Sequence, residues 1–342
     1  MGIFENCMEM CKAEPGVVAF PDCLDERVLA AATRLKKEKL ATPILVQSPF
    51  AVTHKIQGTG KSFSGFTVID HTNNQLLEEN IHNYTRILEA KGKSVALEKI
   101  EAAMRCSLAA SAMMVRQNQV DVGVAGNLSS TADVIRAGIS ILPRKQKNIS
   151  SFFLMVSPDE AQHYILADCA VVPEPDADTL ADIAIASAEK AKNLLGEEPR
   201  VAMLSFSTKG SAQHHRPSMV REAVLAARKK APGIVIDGEL QLDAAVVPGV
   251  ASLKAPGSQL GGNANVLVFP SLEAGNIGYK MLQRMAGYTA LGPFLQGFEG
   301  GWHDLSRGCS AEDIFKVAVV GICMQRGNTA VTPTSSQKRI TA

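Results

Sequence analysis

Short apolar runs rich in β-forming residues alternate with helix-length amphipathic segments along nearly the whole chain, and few folds accept that pattern. The strand candidates are Val17–Phe20, Pro43–Gln47, Val120–Ala125, Phe152–Val156, Ala170–Val172, Val201–Phe206, Ile234–Asp237 and Val266–Phe269. The helix candidates are Glu26–Glu38, Ser94–Gln117, Ala132–Ala137, Thr179–Leu195, Met219–Lys230, Ala274–Met285 and Ala311–Met324. Such alternation predicts an α/β protein built from βαβ units, with largely parallel sheets covered by helices. In such folds ligands sit at the carboxyl ends of the strands, in the loops that lead into helices. The polar stretch after Pro143, Arg144 to Asn148, separates an apolar helix from an apolar strand and marks a domain boundary. The Gly/Pro-rich stretch from Gly287 to Gly308 is suited to carrying the chain back.

Charge and composition narrow the function. Lys plus Arg number 35 against 34 Asp plus Glu, a net charge of +1. Nucleic-acid binders need a basic surplus for phosphate contacts, so none is expected as a partner. One Trp and four Tyr also leave little for base stacking. No run approaches the ~18 apolar residues of a membrane span, so no membrane partner is expected. The opening MGIFENCMEMCKAEPG lacks the long apolar core of a secretory signal, and Asn6 stands where a myristoylation motif wants Ser or Thr. Seven scattered cysteines suit reduced thiols of a cytoplasmic protein. Cys7 and Cys11, four apart on one expected helix face, have no partners at zinc-ligand spacing, and no metal is expected.

Two loops carry candidate chemistry. Gly126-Asn127-Leu128-Ser129-Ser130-Thr131 follows an apolar strand and precedes a helix. Its hydroxyls and N–H groups suit either an anion site at the helix N-terminus, with Arg136 one turn inside, or plain helix capping. Asp304 to Asp313 holds Ser306, Arg307 and Asp313, a hydroxyl, a guanidinium and a carboxylate within eight residues. They suit a reacting centre, although Ser310 followed by Asp313 is also a capping-box pattern. Gly275, Asn276, Gly278 and Lys280 follow another apolar strand, where glycines permit close backbone approach to a ligand. Gly58-Thr59-Gly60-Lys61-Ser62 is not a P-loop, because Lys55 occupies the place of the earlier glycine. The pair His214 and His215 reads as a solvated surface feature.

The segments FPDCLDERVL (20–29), VAGNLSSTADVIRAG (124–138), SSFFLM (150–155), MLSFSTKGSA (203–212), DGELQLDAA (237–245), KAP (254–256), FPSLEAGNIGYK (269–280), GPFLQG (292–297) and DLSRGCSAEDI (304–314) resemble, in order, the phosphotransacetylase (phosphate acetyltransferase) family. FPDCLDERVL and GNLSST are most similar to its short ethanolamine-utilisation branch. The resemblance implies two α/β domains around a central cleft, an isocitrate/isopropylmalate dehydrogenase-like fold. Its domains would be 1–146 plus 298–330 and an inserted domain 147–297; the residues beyond, 331–342, rich in Thr and Ser, read as a flexible tail by composition. It implies transfer of acetyl between coenzyme A and phosphate, in the cytoplasm or a bacterial microcompartment, by a homodimer with CoA as substrate and no cofactor.

Ser306, Arg307 and Asp313 match the family's catalytic positions, and Arg136 a CoA- or phosphate-site arginine. Ser129, Ser130, Thr131, Asn276 and Lys280 complete the expected substrate-binding set. One departure stands out: Leu88 occupies the place of a family arginine, with Arg86 the nearest substitute. The implied mechanism is direct attack of the CoA thiol, with Asp313 as base, Arg307 on acetyl phosphate and Ser306 donating to the oxyanion. Cys309 invites a covalent route, but no His is placed to activate it. Transfer of propionyl or butyryl, or a non-catalytic acyl-CoA-sensing domain, are the alternatives.

Overall fold

The structure, a computed structural model, describes residues 2–60 and 65–326. The expected tail, 331–342, lies outside the described residues. The chain divides into two compact units, one running to Lys145 and resuming at Phe298, the other Gln146–Gly297.

Unit 1 begins with α1 (Ile3–Ala13), β1 (Gly16–Phe20), α2 (Glu26–Lys37), β2 (Ala41–Val46), α3 (Pro49–Thr59), β3 (Thr67–Ile69), α4 (Asn74–Ala90), α5 (Leu97–Met104), α6 (Ser107–Arg116), β4 (Val122–Val124) and α7 (Thr131–Ile141). Unit 2 holds β5 (Ser150–Val156), β6 (His163–Ala167), α8 (Ala177–Leu195), β7 (Arg200–Leu204), α9 (His215–Lys230), β8 (Val235–Leu240), α10 (Leu242–Val246), α11 (Pro248–Lys254), β9 (Val266–Val268), α12 (Leu272–Met285) and β10 (Thr289–Gln296). The chain then returns to unit 1 with β11 (Gly301–His303) and α13 (Ala311–Arg326).

The unit 1 sheet has the order β11-β4-β1-β2-β3, and every pairing is parallel. From β1 the chain winds one way through β2 and β3, then returns to the other side of β1 with β4 and β11. This reversal lies between β1 and β4, the place where open α/β sheets part their loops and accept ligands. The interior is packed around α13, whose residues from Val317 to Met324 are all buried. Strands β4 and β11 lie on one side of this helix, and α1 and α2 cover it elsewhere. Cys7 and Cys11 do share one face of α1, and both are buried. Gly123 of β4 lets the indole of buried Trp302 lie against the strand: an added Cβ would come within 2.4 Å of Trp302.

The unit 2 sheet has the order β10-β5-β6-β9-β7-β8. Strands β6, β9, β7 and β8 are parallel, whereas β5 and β10 run antiparallel at one edge. Two α/β units with mostly parallel sheets are the architecture that the alternation predicts.

Several element assignments need correction. Ala170–Val172 is not a strand. The N–H groups of Ala170, Val171 and Val172 all donate to the buried Asp168 carboxylate, which turns the chain at the end of β6. The strand there is β6 itself, His163–Ala167, which the sequence reading missed. The Gly/Pro-rich stretch contains β10 and β11. Gly292 and Pro293 are tolerated because β10 is an edge strand with an irregular register between Leu291 and Phe294. The single helix expected over Ser94–Gln117 is two, α5 and α6, with Arg105 and Cys106 between them. Gly58 and Thr59 close α3, and Gly60 is its left-handed cap. Lys61 and Ser62 lie outside the described residues.

Candidate active site

Three neighbouring strands of unit 1, β1, β4 and β11, end in loops at the same edge of the sheet, and most of the candidate residues stand on them. The loop after β1 supplies Asp22 and Asp25, the loop after β4 supplies Asn127 to Ser130, and the loop after β11 supplies Asp304 to Ser310. Each loop feeds a helix. Asp25 caps α2 by accepting from the Arg27 N–H at 2.8 Å. Ser130 caps α7 by accepting from the Asp133 N–H at 3.2 Å. Ser310 and Asp313 form a reciprocal capping box on α13: Ser310 Oγ accepts from the Asp313 N–H, and Asp313 Oδ2 accepts from the Ser310 N–H and Oγ–H.

The β4–α7 loop has the form of an anion cradle, and a carboxylate of the chain fills it. Asp22 Oδ2 accepts from the N–H groups of Gly126 at 2.9 Å, Leu128 at 3.2 Å and Ser129 at 3.0 Å. Ser129 Oγ donates to Asp22 Oδ1 at 2.6 Å. Thr131 Oγ1 donates to Asp304 Oδ2 at 2.6 Å, and Ser130 Oγ to Asp133 Oδ2. All three candidate hydroxyls are thus engaged within the chain. Arg136 projects outward from α7, its side chain 73% exposed and paired with Asp133. Gly126 makes the arrangement fit. Its φ of +103° is one that side chains rarely adopt, and a Cβ there would stand 2.2 Å from Asp304 Oδ1.

Ser306 and Arg307 stand in the β11–α13 loop, and Asp313 in the first turn of α13. Ser306 and Arg307 are exposed on a turn closed by the Cys309 N–H to the Ser306 carbonyl at 2.9 Å. Asp313 is half-buried, and its bonds to Ser310 fall on Oδ2. Cys309 is buried, and burial pushes its thiol up to about 11 against the pull of the nearby Arg27 charge. Such a thiol is protonated at neutral pH and a poor nucleophile.

Asn276 and Lys280 belong to unit 2, on α12. Asn276 Nδ2 donates to the Cys169 carbonyl at 3.0 Å, and Lys280 is exposed. On α4, Leu88 is buried while Arg86 is exposed, so the helix turns position 88 into the core. The neighbouring Lys91 is occupied at the C-terminus of α7, donating to the carbonyls of Ile139 and Ser140. His214 caps α9 through the Arg216 N–H.

Sequence reasoning missed three residues here. Asp22 and Arg27 lie within the quoted segment FPDCLDERVL, yet their partners are about a hundred or more positions away. Asp304 is 1% exposed, and its Oδ1 is buried without a hydrogen bond. Burial pushes its carboxyl up to about 6; the Thr131 hydrogen bond pulls the other way and the Asp22 charge adds to the rise. An acid placed directly after a strand, ahead of a loop rich in functional groups, was the available signal.

Comparison with known proteins decides the family. Residues 2–322 match the family model described as Phosphate acetyl/butaryl transferase. This chain belongs to the phosphotransacetylase family. The phosphate acetyltransferase of Thermoanaerobacterium thermosaccharolyticum is 41% identical over 323 residues, 93% of this chain and 97% of that protein. A phosphotransacetylase structure from Streptococcus pyogenes has a TM-score of 0.88 at 37% identity, covering 95% of this chain and 98% of its own. The EutD phosphotransacetylase of Staphylococcus aureus has a TM-score of 0.85 at 38% identity, covering 94% and 98%. Both the family and the two-unit fold expected of a phosphotransacetylase are therefore borne out.

The buried carboxyl of Asp304 gives a pH-dependent prediction. Its folded-state pKa of about 6 lies above the ordinary ~3.9 of an unfolded Asp, so the folded chain binds this proton more tightly. The stability it contributes is present below about pH 4 and is lost as the pH rises towards 6. Asp304→Asn keeps an acceptor for Thr131 and abolishes the loss. The stability of the variant relative to wild type should therefore rise by roughly 2 kcal/mol between pH 4 and 7 and level off above. Urea titrations across that range test this. A difference that does not vary with pH would mean that Asp304 does not titrate there.

Proposed function

We propose that this chain catalyses reversible transfer of an acetyl group between coenzyme A and inorganic phosphate. The observation that carries the reading is the family match over residues 2–322, together with Ser306, Arg307 and Asp313 standing at one loop–helix junction on the ligand-accepting edge of a parallel sheet. In the direction of thioester synthesis a C–S bond forms, the C–O bond to phosphate breaks, and the thiol proton must go to a base. A thiol near its ordinary pKa of ~8.5 is mostly protonated at neutral pH, so the base matters. Asp313 is assigned that role, with Oδ1 as the accepting atom because Ser310 occupies Oδ2.

Arg307 is assigned to the phosphate and carbonyl oxygens of acetyl phosphate, and Ser306 to the developing oxyanion. Attack is direct, within a ternary complex. The raised Cys309 thiol supports a route without an acyl-enzyme. CoA is a substrate on this reading, and no cofactor takes part. Arg136 is assigned to a phosphate of CoA. Ser129, Ser130 and Thr131 shape the loop ahead of it, and Asn276 and Lys280 are assigned to substrate on the family resemblance alone. The reaction runs in the cytoplasm, in line with seven free cysteines.

The direct test is thioester formation from CoA and acetyl, propionyl or butyryl phosphate. Acetyl phosphate should give the highest specificity constant. A preference for butyryl phosphate would move the chain to the butyryl-transferring side of the family, and absence of turnover with all three would favour a sensing role.

Base and cap make different demands on Asp313. Asp313→Asn keeps a side-chain oxygen for the capping box but accepts no proton at useful pH. As a base, Asp313 is worth roughly 100- to 10,000-fold in rate. The variant should therefore melt near the wild-type temperature, lose turnover on that scale, and recover rate as the pH is raised. Turnover within about threefold of wild type with earlier melting would make Asp313 a cap, worth about 1 kcal/mol of stability.

The dimer is also part of the proposal, on different ground from the sequence. Segment 181–188 of α8, an apolar run in the sequence, is mostly buried within unit 2 and is not free for a partner. On α12, Ile277, Met281 and Met285 stand four residues apart and are all more than half exposed, a stripe suited to a second copy. Light scattering at micromolar concentration should give the mass of a dimer; a stable monomer would refute it.

A further inference from the structure

The turn that carries Ser306 and Arg307 closes on itself through the Cys309 N–H to the Ser306 carbonyl and the Gly308 N–H to Ser306 Oγ. Neither bond ties the turn to the rest of unit 1. That tie is made by Arg27, from the first turn of α2. Its Nη1 donates to the Arg307 carbonyl at 2.8 Å and to the Cys309 carbonyl at 2.7 Å, the two ends of the segment that presents Arg307. Nη2 donates to the Asn127 carbonyl at 3.1 Å and to Asp25 Oδ2 at 2.6 Å, and Nε donates to the same carboxylate. One guanidinium therefore joins the loops after β1, β4 and β11.

The charges around Arg27 are matched. Asp25 accepts a forked pair of bonds from it, and its carboxyl, although raised by burial, is held below the ordinary range by hydrogen bonds from Arg27 and Asn127. A guanidinium neutralised in this way and spent on three backbone carbonyls is poorly suited to take a substrate phosphate. It is well suited to setting backbone position, because its planar donors fix several acceptors at once, whereas a lysine offers a single mobile point charge.

We infer that Arg27 is a positioning residue for acyl transfer: it fixes the 306–309 turn, and through that backbone the direction in which Arg307 meets the acyl phosphate. The inference rests on the functional reading above, with Arg307 on the acyl phosphate.

A double-mutant cycle separates this role from a contribution to stability alone. Wild type, Arg27→Ala, Arg307→Ala and the double variant are assayed with CoA and acetyl phosphate, and their melting temperatures are measured. A catalytic group displaced by about 1 Å costs on the order of 100-fold, so Arg27→Ala should lower kcat/KM by about that factor, mainly in kcat. With Arg307 already removed, the same substitution should cost clearly less than in wild type, because of the two side chains the turn presents only Ser306 is left to be displaced. Where Arg27→Ala does not fold, Arg27→Lys takes its place in the cycle, with the same coupling expected. An equal loss in both backgrounds, or no loss in either, overturns the inference while leaving the functional reading standing. An inactive wild type, or full activity in Arg307→Ala, overturns the functional reading itself.

Discussion

The Asp22 carboxylate is the constraint on which the candidate site of unit 1 depends. It leaves β1 at the point where the strand order reverses and fills the concave loop after β4, accepting three N–H groups and one hydroxyl. Hydrogen bonds to a charged acceptor contribute more than neutral ones, roughly 1.5–3 kcal/mol each. They also satisfy buried backbone donors that would otherwise be costly. With that loop fixed, Gly126 allows Asp304 to approach, Thr131 can reach Asp304, and the indole of Trp302 donates to the Val134 carbonyl. The β11 segment is thereby set against α7, and α13 begins from it.

Two kinds of polar group share this edge of the sheet. Asp22, Asp25, Asn127 and Arg27 are mostly occupied with one another and with backbone. Ser306 and Arg307 keep their side chains outward. Such an inner network leaves few ways for the outer groups to be displaced, although Asn127 Oδ1 is buried without a hydrogen bond. Asp304 Oδ1 is likewise buried without a partner, and burial raises the Asp304 carboxyl.

Periodicity made much of the fold legible. Helices α2, α8, α9, α12 and α13 and strands β1, β2, β5, β7, β8 and β9 announce themselves by apolar spacing, and the junction near residue 146 by its run of polar residues. Strand β11, Gly-Trp-His, is too short and too close to glycines to be read this way. It exists because parallel pairing with β4 supplies what its own sequence lacks. Ala170–Val172 misled for the opposite reason: an alanine and two β-favouring valines give their N–H groups to Asp168 instead of to a strand. Ser306, Arg307 and Asp313 could be named as candidates because they are close in sequence. Asp22, Arg27 and Asp304 could not, since their roles arise only when positions 22, 126 and 304 meet across three adjacent strands.

The order of the chain has a consequence for how the molecule is made. Unit 1 is begun first, yet β11, the edge strand of its sheet, and α13, the helix around which it packs, come after all of unit 2. During synthesis the first 145 residues emerge without either. Unit 2 is continuous in sequence and has every strand of its sheet before the missing pieces of unit 1 exist. The inserted unit is thus free to fold ahead of its host, while the half-made host presents the uncovered edge of β4 and the apolar bed of α13.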